Sequence, residues 1–321
     1  MIEVSGLIKR YGTFEAVRGV SFSVGAGRVV GLLGPNGAGK TTIMKVLTGY
    51  HRPSEGKATL DGLDVVEDPL AAKARVGYLP EGVPLYLDMS VSEYLAFVTD
   101  ARCLPKGTRK ASIEKAVVSC GLEGVAGVRM EKLSKGYRQR VGLAQAIVHD
   151  PAILILDEPT TGLDPNQILE IRSLIRSLGS EKTVILSTHI LQEVEALCSE
   201  VLILNEGRII AQGSAAEIAA GLPGEERLEC SIKGASEDAY TALSGLPCVR
   251  SVVRLDASPQ DGQENTTRRI RVAAGPGAGD EAAEAIFDWA KASGAKLLEM
   301  RRERLSMEDI FVRLTREDSA R

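Results

Sequence analysis

The stretch VVGLLGPNGAGKTTIMKVL (29–47) passes from an apolar, β-branched run through a glycine-rich hinge into an amphipathic pattern. Gly34, four residues, then Gly39-Lys40-Thr41 is the spacing of a phosphate-binding loop. The glycines let backbone N–H groups converge on a phosphate, and the helix that follows turns its positive end toward it. Read this way, Gly34, Pro35, Asn36, Gly37, Ala38 and Gly39, with Lys40, Thr41 and Thr42, form the phosphate-binding loop. Lys40 reaches the β- and γ-phosphate oxygens, and the Thr41 hydroxyl ligates Mg²⁺. A plain Gly-rich strand-to-helix turn is the competing interpretation of the bare spacing. The strand before the loop and the helix after it favour the phosphate site.

Such a site needs a carboxylate at the end of another buried strand, and AILILDEPTTGLDP (152–165) supplies one. Ile153-Leu154-Ile155-Leu156 lacks alternation, as a strand covered on both faces does. Asp157 then falls at the strand's C-terminal edge, where open α/β sheets bind ligands. Asp157 is expected to hold Mg²⁺, and Glu158 to activate the attacking water.

Composition limits the alternatives. The 321 residues favour two domains over one, and the net charge of −4 gives no basic footprint for nucleic acid or anionic lipid. Five scattered cysteines without CxxC spacing point to free thiols, and the three histidines form no metal-ligand cluster. No apolar run approaches the roughly 18 residues of a membrane span, and the opening MIEVSGLIKRYG predicts no signal peptide.

Residues from about 83 to 150 are expected to form a helical arm: SVSEYLAFVTDARCL, SIEKAVVSCGL and a helix after LSKGYRQR (133–140), with Pro84, Pro105 and Gly107 as breaks. VLILNEGRIIAQG (201–213) predicts a hairpin, and Ser214 with Glu217 a capping box. The first domain closes near residue 221, and GLPGEE is a linker. Across 224–321 the pattern gives strand 226–232, helix 236–245, strand 248–255, strand 268–273, helix 280–293, strand 296–302 and a helix from Ser306. That order, β-α-β-β-α-β plus a helix, predicts a small ferredoxin-like α+β accessory domain. The run 257–267 is a polar loop, and RRER (301–304) a solvated strand face.

With these motifs in place, residues 1 to about 220 resemble an ATP-binding cassette (ABC) ATPase, an α/β P-loop core with a helical arm. The resemblance implies that Tyr11 in KRYG stacks on adenine, although a half-buried tyrosine on a first strand would read the same. It implies that His189 in ILSTHI contacts the γ-phosphate, and that Asp164 in TGLDP lies on a loop crossing between two protomers. Asp164 also reads as a helix N-cap followed by Pro165, and the two roles are compatible. LSKGYRQR matches the family signature, which contacts ATP bound to the other protomer through Ser134, Lys135, Gly136 and Tyr137. Lys135 and Tyr137 stand where the family prefers Gly and Gln; Lys135 serves if its φ is negative. In VGYLPEG (76–82), Glu81 replaces the usual Gln of a loop that contacts Mg²⁺ or water.

The branch that partners ABC-2-type permeases is similar in these departures. The resemblance therefore implies an ATP-hydrolysing subunit of an exporter, with ATP and Mg²⁺ as cofactors. It acts as a homodimer, or paired with a similar ATPase, beside a separate transmembrane permease. It would sit in the cytoplasm on the inner face of the cell membrane. The alternative is a non-transport ABC ATPase acting on nucleic acid or ribosomes, which the acidic charge and single nucleotide set disfavour.

Overall fold

The computed structural model describes residues 1–221, 226–234, 237–255, 267–275, 277–303, 308–312 and 314. Contacts divide the chain into two units, Met1–Ile218 with Phe311 and Val312, and Ala219–Ile310. The linker residues 222–225, the loop residues 257–266, Arg304 and the start of the last expected helix lie outside the described residues.

In the first unit, β1 (Ile2–Tyr11), β2 (Phe14–Val24), β4 (Glu55–Leu60) and β5 (Leu63–Asp64) form an antiparallel sheet in the order β2-β1-β4-β5. A second sheet runs β10-β9-β3-β8-β7-β6. It comprises β3 (Val29–Leu33), β6 (Val76–Leu79), β7 (Ile153–Asp157), β8 (Thr183–Thr188), β9 (Glu200–Asn205) and β10 (Arg208–Gly213). All neighbours are parallel except the edge pair β9–β10, the predicted hairpin.

The apolar runs of β7 and β8 are buried throughout because both faces of this sheet are covered. Ile153, Ile155 and Ile185 join one core, with Ile43, Met44 and Leu47 of α1 (Lys40–Leu47) and the inner face of the antiparallel sheet. Leu154, Leu156, Val184 and Leu186 point the other way, into a core built with the helices that follow. Those helices are α3 (Val91–Ala101), α4 (Lys106–Ser119), α5 (Lys135–Ile147) and α6 (Pro165–Gly179). Each such fully buried aliphatic side chain stabilises the fold by about 1.5–3 kcal/mol.

Helix boundaries follow the capping chemistry. Ser90 and Glu93 form a capping box at α3, and Ser214 and Glu217 do so before α8 (Ala215–Gly221). Asp164 caps α6 by accepting from the Gln167 N–H at 3.0 Å, with Pro165 at the first helical position. One boundary differs from expectation. The helix predicted from Ser112 already begins at Lys106, so Gly107 lies inside it. Pro105 occupies the N-cap, where its missing N–H costs nothing. The short α2 (Pro69–Ala74) precedes β6, and α7 (Leu191–Leu197) follows β8.

The second unit has β11 (Glu226–Lys233), α9 (Glu237–Ser244), β12 (Val249–Arg254), β13 (Thr267–Ala274), α10 (Gly279–Ser293) and β14 (Lys296–Glu303). The strands pair antiparallel in the order β12-β13-β11-β14. Leu228, Cys230, Ile232, Ile270 and Val272 alternate onto one face and pack with Leu243, Ile286 and Trp289 of the helices. Arg301 meets Glu229 at 2.6 Å and Arg302 meets Asp280, so both cations bond within their own unit.

Candidate functional site

Parallel pairing brings three chain segments to one edge of the central sheet. Leu33 lies opposite Thr188, and Asp157 opposite Ser187, so the segments after β3, β7 and β8 emerge side by side. After β3 the chain runs through Gly34–Gly39 into α1. Gly39 takes φ 103°, and a Cβ there would lie 2.6 Å from the Ala16 carbonyl, so the turn requires glycine. Lys40 is only 6 % exposed. Its ammonium donates to the carbonyls of Gly34 at 2.8 Å and Pro35 at 3.3 Å, and lies 3.4 Å from Glu158 Oε1.

Asp157 is buried at the end of β7. Its Oδ1 accepts from the Ser187 hydroxyl at 2.6 Å and the Thr41 hydroxyl at 3.2 Å. Its Oδ2 is buried and accepts no hydrogen bond. Burial raises the pKa of this carboxyl, the hydroxyls of Ser187 and Thr41 oppose the rise, and the charges of Glu81 and Glu158 add to it. A buried carboxylate oxygen without a donor, beside a threonine hydroxyl, fits a divalent cation that also takes phosphate oxygens. Mg²⁺ needs only one or two protein ligands of this kind.

Glu158 takes a left-handed backbone, φ 48°, and its N–H donates to Ser187 Oγ at 2.9 Å. Its carboxylate is 7 % exposed. Oε2 accepts from His189 Nδ1 at 2.8 Å and from the Thr161 hydroxyl at 3.1 Å. A cation, an imidazole and a hydroxyl thus fix both oxygens.

Lys40, Thr41, Glu158, Thr161 and His189 line a cleft of about 490 Å³ with Tyr11, Phe14, Ala16, Asn36, Gly37, Gly39, Thr42 and Glu81; Asp157, Ser187, Gly34, Pro35 and Ala38 are not in its lining. Tyr11 and Phe14 face each other across the β1–β2 turn, and both rings are substantially exposed. His51 meets the Tyr11 ring edge-on at 5.7 Å. Phe14, Ala16, Thr161 and Ser187 are not among the residues that the sequence reading singles out. Phe14 could have been found from the two-residue turn that pairs it with Tyr11.

Ser134, Lys135, Gly136, Tyr137 and Asp164 do not line this cleft. Ser134 caps α5, accepting from the Tyr137 N–H at 3.3 Å. Lys135 opens the helix without a positive φ, so the condition placed on its substitution for glycine is met. Its ammonium lies over Gly162, 2.0 Å from where a Cβ would stand. Gly136 packs on Gln167, which a Cβ would approach to 2.6 Å. The Tyr137 ring is 41 % exposed.

A doubly covered, mostly parallel sheet with a glycine loop, a lysine and two acids at one edge defines a P-loop ATPase. The family model described as "ABC transporter" matches residues 17–161. An ABC transporter ATP-binding protein of Synechocystis is 35 % identical over 94 % of this chain and 79 % of its own length. The Nod factor export ATP-binding protein I of Ralstonia nicotianae is 41 % identical over 68 % of each chain. The solved structure of cbiO1 from Clostridium perfringens, part of the ABC transporter complex cbiONQ, is 30 % identical. It superposes with a TM-score of 0.62 over 68 % of this chain and 90 % of that one. The chain belongs to the ABC transporter ATP-binding proteins and is an ATP-hydrolysing transporter subunit. No helix among the described residues is long and apolar enough to cross a membrane.

Proposed function

We propose that Glu158 is the general base of ATP hydrolysis in a subunit that closes in pairs over two nucleotides and energises an export permease. The observation carrying this reading is the buried Glu158 carboxylate held among Lys40, Thr161 and His189 at the cleft. Residues 34–42 grip the triphosphate, and Lys40 leaves its carbonyl contacts for phosphate oxygens. Tyr11, with Phe14 beside it, receives the adenine. Thr41 and Asp157 would hold Mg²⁺, with Glu81, which lines the cleft, as a further ligand. Bound there, Mg²⁺ neutralises charge on the phosphates. Glu158 takes the proton of the attacking water as the bond between β-phosphate oxygen and γ-phosphorus breaks, releasing ADP and phosphate. His189 orients Glu158 and faces the γ-phosphate.

Ser134 and Gly136 sit away from their own cleft, which supports their serving ATP on a second copy, with Asp164 on the crossing loop. Export, an ABC-2-type permease and a place on the inner face of the membrane are supported by the signature departures and by the export relative. Exposed Tyr86, Leu87 and Phe97 give the helical arm an apolar surface for that permease. The order β12-β13-β11-β14 supports a ferredoxin-like accessory domain, which we assign to tuning closure. The test is sedimentation of Glu158→Gln with and without MgATP. A dimer that forms only with ATP is expected, and a monomer at saturating ATP overturns the paired reading.

A further inference from the structure

Behind the Glu158–His189 pair lies a second carboxylate with no place in the reaction described above. Glu193, on α7, is 1 % exposed. Its Oε2 accepts from the Thr188 hydroxyl at 2.6 Å, and its Oε1 accepts from the Thr160 hydroxyl. Both threonines are themselves buried, at 0 % and 2 % exposure. Thr188 immediately precedes His189, and Thr160 follows Glu158 by two residues. One side chain therefore ties together the two segments that carry the reacting pair. Arg172 on α6 stands 3.9 Å from Oε1, too far for a hydrogen bond.

A carboxylate is a costly way to fill such a place. Removing the charge from water costs several kcal/mol, and apolar side chains of similar volume often serve stability equally well or better. A carboxylate differs in offering two acceptor oxygens in a fixed plane, so two hydroxyl donors on different segments take one relative position. We propose that Glu193 is a positioning residue: it sets the distance between Glu158 and His189 by holding Thr160 and Thr188 at once. The inference rests on the reading of Glu158 as base, because only then does the spacing of the pair govern the rate. A small displacement of a reacting group can cost up to about 10²-fold in rate while leaving substrate binding unaffected.

The experiment compares Glu193→Gln, Thr160→Val, Thr188→Val and the donor-retaining Thr160→Ser and Thr188→Ser on the full chain. ATP turnover and melting temperature are measured for each. Each valine variant is expected to lower kcat about tenfold or more with KM for ATP within about twofold, and each serine variant to keep the wild-type rate. Pairing Glu193→Gln with Thr188→Val should cost little beyond the larger single effect, since both break one link. The inference is overturned if the valine variants turn over like wild type. It is equally overturned if serine and valine variants lose rate together, or if loss follows melting temperature alone. Should Glu193→Gln fail to fold, the threonine variants decide. Glu158→Gln, run alongside, separates the two readings: near-normal turnover there removes the base assignment and leaves the threonine result to be read by itself.

Discussion

His189 Nδ1 stands 2.8 Å from Glu158 Oε2, so the imidazole donates to the carboxylate that faces the cleft. On the other oxygen, Lys40 lies at 3.4 Å. The carboxylate is held from both sides, and its removal should affect chemistry and leave the phosphate loop intact. Glu158→Gln is expected to lower turnover by about 10²–10⁴-fold with nucleotide affinity nearly unchanged. Steady-state ATPase rates and equilibrium binding of a fluorescent ATP analogue check this.

Asp157 presents the reverse balance. Its buried Oδ2 without a donor and its raised pKa mean that the fold tolerates this charge at a cost. Asp157→Asn is expected to abolish Mg²⁺-dependent turnover while raising the Tm of the unit Met1–Ile218 by about 2–4 °C, the shift produced by about 1 kcal/mol in a unit of that size. Scanning calorimetry without nucleotide is the measurement, and a lowered Tm counts against the balance described.

The signature loop gives a contrast between tolerated and forbidden changes. Lys135→Gly with Tyr137→Gln should leave hydrolysis within about tenfold, or roughly 1.4 kcal/mol of barrier. Ser134→Arg should stop ATP-dependent pairing by bulk. ATPase rates and sedimentation of both proteins test the contrast.

His149 supplies a pH dependence of stability. Burial, with the charges of Arg102 and Lys182, lowers its pKa from 6.5 to about 4, against the opposing Val76 carbonyl bond and the charge of Asp150. Nε2 bonds the Val76 carbonyl at 3.0 Å, and Nδ1 is buried without a partner. The unfolded chain therefore takes up this proton first as pH falls. The contribution is intact above about pH 6.5 and is lost progressively toward pH 4. His149→Gln should flatten that fall, as read from urea midpoints at pH 7.5 and pH 5.

The parts of this site set by local sequence were legible in it. The phosphate loop, the apolar run ending at Asp157, the caps at Asp164 and Ser214, and the hairpin around Gly207 each depend on neighbours within a few residues. Ser187 was not legible, because its bond to Asp157 joins strands thirty residues apart and depends on parallel register. Thr161 and Phe14 were missed for a related reason: each acts through where a turn aims it. The sheet orders were also beyond reach, since β3 lies between β8 and β9 although both come more than a hundred residues later. The early start of α4 is not legible because proline and glycine ordinarily break a helix, whereas here Pro105 precedes it and Gly107 falls in its first turn.

The left-handed backbone at Glu158 bears on what laboratory evolution would do with this chain. A side chain in that conformation costs about 1–2 kcal/mol relative to glycine. A library selected for heat resistance, with no demand on ATP turnover, should therefore accumulate Glu158→Gly. The same library selected for turnover should hold glutamate there against that gradient. Comparing the two enriched pools would measure at one codon how much stability the chain forgoes for its chemistry.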